Sequence, residues 1–550
     1  MTDPSALWCP LPPGGFCGSL AAAVGASAAA LDPGALGGGP GAFPAGRVLL
    51  TAAYGLLLLV LCAFGAHRFL MVRLFLRHRR DRVRPARRYA EAGLPRVTVQ
   101  LPLFNEGPVA ARAIDAAARL AYPRLQVQVL DDSDDGSEAI GRERAAYWRA
   151  RGVDVVHLHR ADRTGYKAGA LAAGLGSATG ELVAVFDADF VPQPGFLRSV
   201  VDHFTDPGIG MVQARWGHLN RDDSALTAAQ AILLDGHFVV EHTARNRSGV
   251  FMHFNGTAGV WRRTCIDDAG GWAHDTLTED VDLSYRAQLK GWRFRFLPRL
   301  ACPAELPREM NAFKTQQHRW TKGSVQTAVK LLPRVFAADL PWRVKAEAAA
   351  HLLSPVTYLA VVGFTLLCYP AVLMNLRYTE DGSLWGLALG TLLLCLGTVS
   401  AATFYVVSQA ALGRSVAATV ARVPFLMALG VGLAVSNAVA VVEALVGHRS
   451  GFVRTPKEGD RADADAPAAP RGRVPLTRKL VIAAELGMGL LMLEAARRSL
   501  SAGATAVSLP FLLLFAAGYL YVGGWSLWGL VKPRRRAGRE RAEAVEALAP

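Results

Sequence analysis

Four acidic clusters stand out as able to do chemistry. The first is FDADF at 186–190, where Asp187 and Asp189 follow an apolar run. Side chains two apart on an extended segment point the same way. Both carboxylates then face one crevice at a sheet edge, as hard divalent ions such as Mg²⁺ or Mn²⁺ require when they are held together with substrate phosphates. The second is VQVLDDSDDGS, with Asp131 and Asp132 at the end of another apolar run. An Asp/Ser/Gly turn explains this cluster equally well. The third is TLTED at 276–280. Thr278 reads as the N-cap of a helix that begins near Glu279. Glu279 and Asp280 then either favour the positive end of that helix or supply a general base. The fourth, ADADA at 462–466, lies in a Pro/Ala linker with no strand before it, and reads as solvated chain. One further stretch, QQHRW at 316–320, offers an amide in Gln316, a phosphate-matching guanidinium in Arg319 and an aromatic platform in Trp320.

The elements that must position these residues follow from the pattern of apolar runs. VTVQL (97–101), VQVL (127–130), VDVVHL (153–158) and LVAVF (182–186) alternate with Ala-rich, helix-like stretches such as 108–120 and 166–175. That rhythm predicts a parallel sheet covered by helices, with ligands outside the carboxyl ends of the strands.

The rest of the chain has a different texture. Of its 550 residues, 51% are hydrophobic and 19% charged, and the mean hydropathy is +0.23. This excludes an ordinary soluble protein. The net charge of +15 sits largely beside apolar runs and comes with no nucleic-acid motif, so membrane-flanking charge explains much of it. The seven cysteines show no CxxC spacing, which argues against a zinc site. Cys9 and Cys17 could pair only in an extracytoplasmic N-terminus.

The domain reading follows. Residues 1–46 form a Gly/Ala/Pro-rich extracytoplasmic segment without fixed structure. Residues 47–77 are a transmembrane helix and a basic juxtamembrane segment. Residues 95–330 are the α/β domain, and 331–349 an interfacial helix. Residues 350–446 hold transmembrane helices plus an interfacial segment at 419–446, and 447–478 a loop and charged linker. Residues 479–531 give two more transmembrane helices, and 532–550 a basic cytoplasmic tail. Placing every Arg-rich flank on one side gives five spans, an outside N-terminus and a cytoplasmic α/β domain, in a multi-pass protein of the cell (inner or plasma) membrane.

The ordered set DD (131–132), DAD (187–189), TED (278–280) and QxxRW (316–320) resembles the processive family 2 glycosyltransferases, which include cellulose, chitin, hyaluronan and mannan synthases. VQLPLFNE, GYKAGAL, FDADFVPQPGF, VQARW, FNGTAGVWRR and LKGWRF are most similar to the plant cellulose-synthase-like A (gluco)mannan synthases. The resemblance implies a Rossmann-like GT-A domain joined to an α-helical transmembrane region. It implies a metal-dependent, inverting hexosyltransferase using GDP-mannose or UDP-glucose, with a growing β-glycan as acceptor or, alternatively, a lipid. Homo-oligomers or accessory subunits are left open, and nucleic acid is not a partner. By position it places Asp131, Asp132, Lys167, Asp187, Gln316 and Arg319 on the nucleotide sugar, and Asp187 and Asp189 on Mg²⁺ or Mn²⁺. Asp280, beside Glu279, becomes the base, and Trp320, Asn255 and Gly256 meet the acceptor. FVRTPK (452–457) resembles a gating loop through Phe452, Thr455 and Lys457, with Arg454 where that loop has Val.

Overall fold

The computed structural model describes residues 44–378, 385–448, 475–501 and 509–531. The proposed gating residues Phe452, Thr455 and Lys457, the 462–466 linker and Cys9 and Cys17 lie outside the described residues.

The centre of the molecule is a seven-stranded sheet. Its strands are β1 (Val97–Leu103), β2 (Leu125–Asp131), β3 (Asp154–His159), β4 (Leu182–Val185), β5 (Ile209–His218), β6 (Gly259–Arg262) and β7 (Arg293–Ala304), in the order β3-β2-β1-β4-β6-β5-β7. The first four strands pair in parallel, as the apolar runs predict. The sheet as a whole is mixed, however, because β6 runs antiparallel to both β4 and β5. The sequence pattern misses β5, β6 and β7. Their polar residues, such as Gln213, Arg215 and Arg295, break the apolar runs by which strands are recognised. Inside the sheet, buried polar side chains bond to one another and to the covering helix. Gln100 donates to Gln128 at 3.0 Å, and Gln128 donates to the Gly174 carbonyl at 2.9 Å. Gly174 cannot be larger, since a Cβ there would meet Gln100 at 2.5 Å.

Among the described residues, three helical stretches are long and apolar enough to cross a membrane: Val48–His78, Trp342–Val372 and Leu509–Val531. Val416–Gly432 and Ala434–Leu445 add a fourth if they count as one span, although they bend by 42° at Leu433. The expected spans at 384–408 and 479–497 are helical, Trp385–Ala411 and Leu476–Ser501, but fall outside that set. Leu476–Ser501 includes Glu485, Glu494, Arg497 and Arg498, which lower its hydropathy. The interfacial helix expected over 331–349 is in two pieces. Met310–Ala337 runs through its first half, and Trp342–Leu353 begins after a break.

The Met310–Ala337 helix, which carries QQHRW, is pinned to the apolar helices by buried ion pairs. Lys314 meets both Glu485 oxygens at 2.7 and 2.8 Å, and Lys322 meets Glu443 at 2.8 Å. Breaking either pair would strand a buried charge, at a cost of about 3–5 kcal/mol. These bonds fix the height and rotation of the helix over the sheet edge.

Candidate active site

The carboxyl ends of the parallel strands open into a cavity of about 200 Å³. Asp187 and Asp189 both line it, but not through continued strand geometry. β4 stops at Val185, and the chain turns at once, with the Phe190 N–H donating to the Asp187 carbonyl at 3.0 Å. The turn, held by the Asp187 N–H on the Thr257 hydroxyl at 2.9 Å, brings both carboxylates to the same crevice. Two hard oxygen donors on one cavity wall suit a divalent cation.

Lys167 sits opposite. Its ammonium donates to Asp187 at 2.6 Å and to the Gly256 carbonyl at 3.0 Å, and lies 3.9 Å from Glu279. Burial works against this charge, but Asp187 and Glu279 outweigh it and hold the ammonium above its ordinary value. The GYKAG stretch delivers the lysine through a tight turn. Gly165 has φ +77°, and a Cβ on Gly169 would collide with the Thr164 carbonyl at 2.1 Å.

The helix Glu279–Leu289 begins where the sequence places it. Thr278 occupies the N-cap position but makes no side-chain cap. Its hydroxyl instead meets Thr327 at 3.3 Å, and its side chain packs where a Cβ on Gly323 would otherwise stand. Thr278 therefore joins this helix to the QQHRW helix. Burial and then the neighbouring Glu279 push the Asp280 carboxyl up to about 8. Burial also raises Glu279, against the pull of Lys167. Two carboxyl groups in one dry pocket resist ionising together.

Gln316, Arg319 and Trp320 share one face of their helix, as spacings of three and four residues require, and all three line the cavity. Burial lowers the Arg319 guanidinium, while Glu279 and Asp187 pull it back up.

A larger cavity of about 560 Å³ shares the wall formed by Trp216, Asn255, Asp280, Gln316 and Trp320, and extends between apolar helices to Leu58, Val361 and Phe515. Asn255 lines both spaces. Gly256 lines the smaller one, beside Asp280. Its φ is +77°, and a Cβ there would stand 3.1 Å from Asp280 Oδ2.

Asp131 and Asp132 part company. They are adjacent at a strand end, so they face opposite sides. Asp132 lines the smaller cavity, held by Arg160 at 2.8 and 2.6 Å. Asp131 is not among the cavity residues. It accepts from His157 Nε2 at 3.0 Å and from the Ser133 N–H at 2.9 Å. It is 1% exposed, and its carboxylate fills the space that makes Gly141 obligatory. These bonds anchor the turn that follows β2. The sequence reading passed over Glu106, Arg163 and Trp216 as site residues, although all three line the smaller cavity. A signal existed for Trp216, which follows four strand residues in VQARW.

Residues 95–323 match the family model described as glycosyltransferase like family 2. The chain is 42% identical over 251 residues to glucomannan 4-beta-mannosyltransferase 2 of Arabidopsis thaliana, covering 44% of this chain and 47% of that protein. It is 42% identical over 254 residues to probable glucomannan 4-beta-mannosyltransferase 6 of Oryza sativa subsp. japonica, covering 45% and 44%. It thus spans about half the length of the curated relatives it matches. Among solved structures, a mannosyltransferase from Pyrobaculum calidifontis in complex with GDP-Man and Mn²⁺ superposes with a TM-score of 0.49 at 21% identity, over 72% of this chain and all of that one.

Proposed function

We propose, from the premise that residues 95–323 are a glycosyltransferase family 2 domain, that the protein is a membrane-embedded inverting hexosyltransferase. It extends a β-glycan of the mannan or glucomannan type from a nucleotide-sugar donor, with GDP-mannose ahead of UDP-glucose because the similar proteins are named mannosyltransferases. The observation that carries this reading is the shared wall. One carboxylate, Asp280, lines both the charged cavity and the long apolar-walled one.

The steps follow from the residues. In the smaller cavity Lys167, Arg319 and Arg163 supply cationic donors to a diphosphate, and Asp132 closes its far side. Asp187 and Asp189 would hold Mg²⁺ or Mn²⁺, which supplies positive charge for a departing diphosphate. The acceptor enters along the larger cavity and rests on Trp320, backed by Trp216 at a centroid distance of 6.2 Å. Asp280 takes the proton from the attacking hydroxyl. A single displacement by that hydroxyl inverts the anomeric centre, so an α-linked donor gives a β-linkage. The larger cavity leads on between the apolar helices, which suits a product handed into a membrane. The Arg-rich flanks support a catalytic domain on the cytoplasmic side.

The deciding experiment is transfer from radiolabelled GDP-mannose and UDP-glucose by the purified protein, with and without Mn²⁺, and products separated by size. A polymer ladder from GDP-mannose is expected. A single labelled glycolipid would replace this reading with a lipid-glycosylating one.

A further inference from the structure

Beside the larger cavity lies a cluster that the proposed reaction does not use. One ring nitrogen from each of His237, His242 and His253 lies within 4.8 Å of the others. The backbone is responsible for this convergence. His237 and His242 are five apart, a spacing that an α-helix would splay to different sides. Residues Gly236–His242 instead form a π-helix, whose i→i+5 repeat stacks them. Their ring centroids are 4.4 Å apart. His253 arrives from the segment before β6, 5.3 and 5.0 Å from the other two rings.

All three Nε2 atoms converge on the Asn255 side chain. Its Nδ2 donates to His237 at 2.9 Å and to His253 at 3.1 Å, and its Oδ1 accepts from His242 at 2.5 Å. An amide nitrogen can satisfy two acceptors only if both are bare imidazole lone pairs, so this network assigns Nδ1–H tautomers to His237 and His253. His237 then donates through Nδ1 to Glu241 at 2.9 Å. A bare inner nitrogen with the outer one on a carboxylate is how a metal-binding histidine is held. The Nδ1 atoms of His242 and His253 have no hydrogen-bond partner among the described residues, so no bond there resists rotation of either ring. The nearby guanidinium of Arg245 is matched by Glu241 at 3.2 Å and Glu347 at 2.8 Å.

We propose that His237, His242 and His253 form a binding site for a borderline-soft divalent cation, Zn²⁺ before others. Three imidazoles select such an ion over the Mg²⁺ or Mn²⁺ suited to Asp187 and Asp189. The Asn255 amide sits where the ion must go, so binding requires that side chain to leave. Asn255 lines both cavities, and its displacement disturbs their junction. The ion is therefore an inhibitor of transfer. The site stands on geometry alone, and only its inhibitory effect rests on the proposed function. Cysteine spacing had argued against zinc, and histidines from a π-turn and a separate segment supply the ligands instead.

The test uses the full chain in detergent micelles, with a purification tag free of histidine and with metals stripped by chelator. Co²⁺ is the spectroscopic probe. One Co²⁺ per chain with the visible bands of a nitrogen-ligated ion is expected, displaced by Zn²⁺ and not by excess Mg²⁺. His237→Ala and His253→Ala should remove those bands. Asn255→Ala vacates the centre and should bind Co²⁺ at least tenfold more tightly, a gain that misfolding cannot imitate. Absence of a histidine-dependent spectrum in both the wild type and Asn255→Ala would overturn the site. Zn²⁺ binding without inhibition of sugar transfer would overturn the inhibitory role and leave the site standing.

Discussion

In the smaller cavity, Asp187, Glu279 and Asp280 crowd around Lys167 and Arg319, and burial leaves Glu279 and Asp280 reluctant to ionise. Beside the larger one, the Asn255 amide ties three imidazoles together, donating to His237 and His253 and accepting from His242. Asp280 and Asn255 belong to both spaces. The difference teaches where strain is stored. The charged cavity is held at a cost that a bound diphosphate and cation would relieve, whereas the histidine network is closed by the Asn255 amide and must be disturbed to admit an ion.

Breaking the charged side at its base should have the largest effect. Asp280→Asn is expected to lower transfer by about 10²–10⁴-fold, the range for a general base, without lowering the melting temperature. The sign follows from linkage. The folded value of about 8 lies above the unfolded one of about 3.9. The folded state therefore holds an extra proton between them, and stability falls as pH rises through that window. Asn has no proton to lose, so the variant should be at least as stable as the wild type at pH 8 by thermal melting. Wild-type-like transfer would refute the assignment.

Gly256→Ala is next. It forces a Cβ against Asp280 and a side chain onto a φ of +77°. Displacing the base by a fraction of an ångström should cost up to about 100-fold in kcat, with thermal unfolding showing a loss of about 1 kcal/mol.

The two adjacent aspartates give a sharper contrast of smaller size. Asp132→Asn should raise the KM for the nucleotide sugar. Asp131→Asn should leave that KM unchanged and lower stability by about 1–3 kcal/mol, since it weakens buried bonds to His157 and Ser133. Equal effects of both changes on KM would dissolve the distinction.

The gentlest probe is Glu279→Gln. It removes the negative neighbour that, after burial, raises Asp280. The acid limb of the kcat/KM profile should move to lower pH. A loss of transfer as large as that expected for Asp280→Asn would mean that Glu279 itself is the base.

The first four strands, the strand-end position of Asp187, the start of the Glu279 helix and the one-faced array of Gln316, Arg319 and Trp320 were all legible in the sequence. Each is a local pattern: an apolar run and its end, or a helical spacing. These patterns survive because short-range sterics and periodicity fix them wherever the segment lies in the fold. Other features needed the assembled molecule. The antiparallel β6, the separation of Asp131 from Asp132, the approach of Gly256 to Asp280 and the loss of the Thr278 cap each depend on a neighbour distant in sequence. For Thr278 that neighbour is Thr327; for Asp131 it is His157. The histidine cluster is the extreme case, because a π-turn overrides the α-helical spacing by which its members would be judged. Residue types and local order were thus determined by the sequence alone. Which groups share a cavity, and how far burial shifts their charge, was decided by tertiary packing, because desolvation and coupling act through space rather than along the chain.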